Sequence, residues 1–173
     1  FTSAGKNAAA GGYHFTINAI QLVPGVFAAA QEDSYTFFDA ASGNFGKEQV
    51  LTVKQGVSHG GGERRAYVKF DMGGFGDKAP DAAELRFTAK EFDAGFAAEY
   101  RTLEIYGVSG EWTETGITWN NQPALDAANH IGTVQVPEVA GAQYSVSIAE
   151  YLQNNWEALG GTAAFAIVNQ TDG

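Results

Sequence analysis

Cysteine is absent from this 173-residue chain. Its absence excludes disulfide frameworks, cysteine nucleophiles and thiolate zinc sites, although it does not by itself place the protein in the cytosol. Positive charge is scarce and unevenly spread. Nine of the ten Lys and Arg residues lie between Lys47 and Arg101, and from Thr102 to Gly173 there are none, against eight acidic residues. The formal net charge is −10, which argues against nucleic acid as a partner, because phosphate contacts need a basic surface. The uneven placement leaves two readings. The basic residues decorate the solvent faces of strands, or they form a local basic face on an acidic body, suited to an anionic ligand. Long apolar runs are also missing, so no segment has the eighteen or more apolar residues that suggest a membrane span. The chain opens on Phe1 without a signal peptide, which reads as a processed or excised piece.

What is abundant is glycine, 22 residues, together with Phe, Tyr, Val, Ile and Thr in short runs. That composition favours strands over helices. Residues 1–12, "FTSAGKNAAAGG", are small and polar, and are expected to be poorly ordered. "YHFTINAIQLV" (13–23) alternates Tyr13, Phe15, Ile17 and Ala19 with His14, Thr16 and Asn18. Pro24-Gly25 marks a turn, and residues 24–33 read as a connection. Further strands are predicted at 34–38, 49–55, 64–71, 84–92, 101–109, 133–137, 143–148 and 162–170. In the 64–71 strand Ala66, Val68 and Phe70 share one face; in 84–92 Leu85, Phe87 and Ala89 do. One segment has helical period. Ile148, Leu152, Trp156 and Leu159 predict a helix over 148–159, with Ser147 and Glu150 as a capping box and Gly160-Gly161 as its stop. Many short strands with glycine-rich turns imply an all-β jelly-roll sandwich with one short helix. The expected organisation is an N-terminal extension over 1–31 and a domain over 32–173.

The segment "EWTETGITWNNQPAL" (111–125) puts Trp112 and Trp119 beside an Asn-Asn-x-Pro turn. It occurs in order with "EDSYTFFDAASGNFGKEQVLTVKQ", "RRAYVKFDM", "AAELRF" and "VSIAEYLQNN". Together these stretches, over about residues 32 to 170, resemble the DNRLRE-type domain. That resemblance implies a non-catalytic jelly roll of secreted bacterial and archaeal proteins, some of whose members are alginate-binding carbohydrate-binding modules. Trp112, Trp119, Asn120 and Asn121 then read as architecture, with Trp119 on a short strand filling the end of the sandwich and the Asn side chains bonding the turn backbone. The other reading is a sugar-stacking platform. The resembled pattern ends in one more strand than this chain has, and does not require the strand at 13–23. Either the piece is truncated and 13–23 belongs to a preceding domain, or that spare strand fills the gap, in its own fold or in the next molecule.

Catalytic patterns are weak. His14, His59 and His130 lack metal-ligand spacing, Ser109 and Ser147 lack a nucleophile-elbow setting, and "SHGGGER" is not a phosphate loop. No cofactor is implied with certainty. Asp33, Asp39 and Asn44 are oxygen donors near the chain start, where a jelly-roll module could hold a structural calcium ion; the alternative is solvated turn carboxylates. The binding reading rests on alternation. If Ala66, Val68 and Phe70 face the core, Arg65, Tyr67 and Lys69 face outward, as do Lys54, Arg86 and Lys90. Cations beside an aromatic ring suit a uronate or sulfated sugar. The expected function is therefore a secreted module binding an anionic, alginate-like polysaccharide at Lys54, Arg65, Tyr67, Lys69, Arg86 and Lys90. The alternative is a structural subunit of an extracellular filament or surface layer, joined to copies of itself by donation of the strand carrying Tyr13, Phe15, Ile17 and Ala19.

Overall fold

A computed structural model of the protein describes residues 13–22, 26–56, 62–92, 100–137 and 139–170. The leader at 1–12, the Pro24-Gly25 turn and His59 lie outside these residues. Ten strands are present among the described residues: β1 (Tyr13–Leu22), β2 (Val26–Ala28), β3 (Ala30–Phe37), β4 (Leu51–Val53), β5 (Arg64–Asp71), β6 (Ala83–Phe92), β7 (Tyr100–Val108), β8 (His130–Pro137), β9 (Gln143–Ser147) and β10 (Thr162–Asn169). They form two antiparallel five-stranded sheets. One runs β2-β1-β6-β9, with β4 also paired to β1; the other runs β3-β5-β10-β7-β8. The fold is an all-β sandwich with one helix, α1 (Ala149–Leu159).

Alternation places the core. Ala66, Val68 and Phe70 of β5, Leu85, Phe87 and Ala89 of β6, Leu103 and Ile105 of β7, and Phe165 and Ile167 of β10 are buried together between the sheets. Helix α1 closes one end. Leu152 is its buried residue, Trp156 and Leu159 pack on the same core, and Tyr151 meets Phe165 edge-on with ring centroids 5.9 Å apart. A Cβ at Gly107 would lie 2.1 Å from the Tyr151 ring, so glycine on β7 is what admits that side chain. The helix ends as expected, with Gly160 at φ 58°. Its start differs. Ser147 is the last residue of β9, paired with Glu84, and the helix begins one residue later, with Ile148 at the N-cap and no side-chain bond there.

The strand at 13–22 is paired within its own chain. β1 lies antiparallel to β6 from Tyr13 opposite Phe92 to Leu22 opposite Ala83, and β4 and β2 share its other edge. Tyr13, Phe15, Ile17 and Ala19, expected for donation to a neighbour, sit in register with Phe92, Ala89, Phe87 and Arg86. Bulges between His14 and Phe15, and between Ile17 and Ala19, interrupt the simple alternation. The expected connection at 24–33 is largely strand: it contains β2 and the start of β3, and β3 runs across the 31/32 boundary.

Candidate functional site

On β5 the alternation is as expected, but outward does not mean exposed. Tyr67 is 0% exposed. The chain from Val108 to Leu125 folds back over the outer face of the β3-β5-β10-β7-β8 sheet. There Trp112 and Ile117 form a second apolar cluster with Tyr67, Val108, Ala164 and Ala166, against which Tyr106 and Leu125 pack. Alanines 164 and 166 on the central strand leave room for this layer, and so β10 is buried on both faces from Ala163 to Asn169. The Tyr67 ring meets Trp112 edge-on at 6.1 Å. Its hydroxyl lies 3.1 Å from Gln122 Oε1 and 3.3 Å from the Pro123 carbonyl. Burial, with a smaller opposing effect of Arg65, pushes its pKa up to about 12. Tyr67 is thus a support under the covering segment and offers no ring face to a ligand.

Lys69 is also spent on that segment. Its ammonium donates to the Trp112 carbonyl, lies 3.3 Å from Glu32 Oε2 and sits 4.5 Å from the Trp112 ring centroid. Glu32 in turn accepts the Glu114 N–H at 2.9 Å. The asparagines do comparable work. Asn44 Nδ2 donates to the carbonyls of Glu114 and Ile117 at 2.7 and 2.8 Å. Asn121 accepts from Thr118 N–H at 2.6 Å and donates to the Gly116 carbonyl at 3.0 Å. Asn120 donates to Ser42 Oγ at 3.2 Å. Gln122 Oε1 accepts from Thr36 Oγ1 at 2.6 Å. A Cβ at Gly46 would meet the Glu114 carbonyl oxygen at 2.1 Å, so the covering segment lies directly on that glycine.

Trp119 corrects the expectation in a different way. It lies in a turn, not a strand, and is half-buried on the outer surface rather than at the end of the core. Its ring meets Phe38 edge-on at 5.4 Å, and the Arg65 guanidinium carbon stands 4.7 Å over it. Phe38, in the short 3-10 turn after β3, is 39% exposed. Next to Arg65 along β5, on the other face of the strand, the Arg64 guanidinium carbon lies 3.9 Å over the Phe37 ring. Lys54 bridges to Arg64 through two backbone hydrogen bonds of 3.0 and 2.9 Å. Among the described residues, neither Arg64 nor Lys54 has a carboxylate at ion-pair distance. Arg65 pairs with Glu63 at 2.6 Å. The result is a rim at the β3 edge: Phe38 and Trp119 as aromatic surface with Arg65 over Trp119 on the outer face, and Arg64 on the other face of β5, its backbone bridged to Lys54.

Of the six expected binding residues, the structure brings only Arg65 and Lys54 to this rim. Arg86 and Lys90 are on β6, in the opposite sheet, and Arg86 is bound to Glu84 at 2.8 and 3.0 Å. Phe38 and Arg64 were missed, although "TFF" at a strand end and the doubled arginine at 64–65 were legible signals. The suggested calcium donors, Asp33, Asp39 and Asn44, each have their own surroundings. Asn44 binds backbone groups, Asp39 accepts the Gly62 N–H at 2.9 Å, and Asp33 is pushed toward its neutral form by burial and by Glu114. No group of three or more potential metal ligands occurs among the described residues. His130 pairs with Glu104, which also accepts from Thr133 Oγ1 at 2.9 Å.

A two-sheet sandwich with aromatic rings and cations at one exposed edge has the form of a carbohydrate-binding module. The chain belongs to carbohydrate-binding module family 96, whose sequence pattern matches residues 25–173. A comparison with curated proteins gives no match. No helix among the described residues is long and apolar enough to cross a membrane.

Proposed function

We propose that this module binds an anionic, uronate-rich polysaccharide such as alginate at the rim of Phe38, Trp119, Arg64, Arg65 and Lys54, without catalysis and outside the cell. The observation that carries the reading is the Arg65 guanidinium over Trp119, beside the exposed Phe38 ring. A guanidinium laid on an aromatic face, with its Nε bonded to Glu63, grips a ligand carboxylate as a fork through its terminal N–H groups. The aromatic surface takes the apolar face of a pyranose ring. Arg64 and Lys54 add positive charge that no described carboxylate meets at ion-pair distance. On a body of net charge −10 this local focus has to outweigh general repulsion of a polyanion. Binding is therefore expected to weaken with added salt, since exposed charges are screened over roughly 10 Å at 0.1 M.

Affinity electrophoresis through gels containing alginate or a neutral glucan tests the reading. Arg65→Ala and Arg64→Ala should lose most of the alginate retardation, while Arg86→Ala and Lys90→Ala, on the opposite sheet, keep it. Full retardation of both rim variants would refute the assignment.

A further inference from the structure

Resting on that reading of the rim, we infer that Glu63 is a built-in competitor that occupies Arg65 and sets how highly charged a ligand must be to bind. Glu63 Oε1 lies 2.6 Å from Arg65 Nε, and both side chains are about three-quarters buried, at 23% and 25% exposure. Its backbone is pinned to the rim itself. The Phe38 N–H donates to the Glu63 carbonyl at 3.0 Å, and the Gly62 N–H donates to Asp39 at 2.9 Å. The carboxylate is thus delivered to the guanidinium by a backbone hydrogen-bonded to Phe38. It stands in for the carboxylate of a bound uronate.

Two cations of the rim are in the opposite condition, since Arg64 and Lys54 have no described carboxylate partner. A ligand with one carboxylate gains little by exchanging with Glu63, because one ion pair replaces another. A chain with several carboxylates engages Arg64 and Lys54 and displaces Glu63 in the same event. Glu63 thereby selects multivalent polyanions over single charged sugars. When displaced, its carboxylate goes to water; no bond is made or broken.

The molecule supplies its own control. Glu84 and Arg86 repeat the Glu-x-Arg spacing of Glu63 and Arg65, with Arg86 Nη2 2.8 Å from Glu84, but on the other sheet. Glu63→Gln and Glu84→Gln remove the same charge from similar pairs. Calorimetric titration of the full chain with a short oligouronate and with long-chain alginate is the test. Glu63→Gln should tighten the short ligand about two- to fivefold, the worth of an ion pair that solvent still reaches, and narrow the ratio between long and short. Glu84→Gln should change neither. In an Arg65→Ala background Glu63→Gln should have no effect. Unchanged or weaker binding by Glu63→Gln, with Arg65→Ala still defective, would overturn the competitor role and leave the rim standing. Normal binding by Arg65→Ala would remove the rim and the competitor together.

Discussion

Trp112 and Trp119 are seven residues apart in one segment, yet their replacement by alanine should have opposite consequences. Trp112 is 5% exposed and packs in the layer over Tyr67, Ala164 and Ala166. Truncating a buried Trp usually costs about 3–5 kcal/mol, and the ring also carries the Lys69 ammonium. At about 2–4 °C per kcal/mol for a domain of this size, the melting temperature should fall by roughly 6–20 °C. Trp112 Nε1 is buried without a hydrogen-bond partner among the described residues, so Trp112→Phe deletes an unsatisfied donor along with some ring area, and should cost far less. Trp119 is half-buried, with one edge-on neighbour, Phe38, and one cation, Arg65. An aromatic pair of about 0.5–1.5 kcal/mol and an exposed cation–π contact of about 0.5–1 kcal/mol put Trp119→Ala near 1–2.5 kcal/mol. Urea denaturation measures the stabilities, and affinity electrophoresis in alginate measures binding at a temperature where all variants are folded. Trp112→Ala should be unstable but retarded, and Trp119→Ala stable but not retarded. Equal destabilisation by both, with retardation preserved in Trp119→Ala, would refute the division of roles.

Two further outcomes follow from the same packing. Tyr67 is held neutral, with its pKa raised to about 12 in the folded state against about 10 when unfolded, so its contribution is complete below pH 10 and is lost as pH rises through 12. That loss is roughly 2–3 kcal/mol by linkage, and the alkaline fall in denaturant-measured stability should be correspondingly shallower in Tyr67→Phe. Deleting residues 1–22 removes β1 from between β6 and the β4 and β2 edge; size-exclusion chromatography and far-UV circular dichroism should show loss of the folded monomer. A stable monomer after that deletion would mean that β1 is dispensable to its own sheet.

The strand pattern was legible because it is local. Strand alternation has period two whatever the partner strand is, so Ala66, Val68 and Phe70 were placed in the core from β5 alone, and Leu85, Phe87 and Ala89 from β6. The Leu152, Trp156 and Leu159 spacing and the Gly160 stop located α1 for the same reason. The capping box does not form because the helix begins one residue after its serine, with Ile148, which has no side-chain acceptor, at the N-cap. The rim is only partly legible: charge and alternation point to Arg65 and Lys54, while Trp119 reads as architecture at the end of the sandwich, with a sugar-stacking platform as the alternative.

The sequence by itself determined which side chains of β5 and β6 turn toward the core, where the helix lies, and that nine of the ten cationic residues fall in the middle of the chain. The tertiary structure alone decided what the other face of each strand meets. Arg65 and Arg86 both point away from the core, but β5 lies beside β3 and β10 while β6 lies beside β1 and β9, so the two cations are on opposite sheets. Tyr67 points outward and is still fully buried, because Gln122 and Pro123, 55 and 56 residues further along the chain, come to rest on its hydroxyl. Alternation is a property of a single strand's backbone. Exposure depends on which distant segment packs against that face, and that is settled by non-local contacts that no local period encodes.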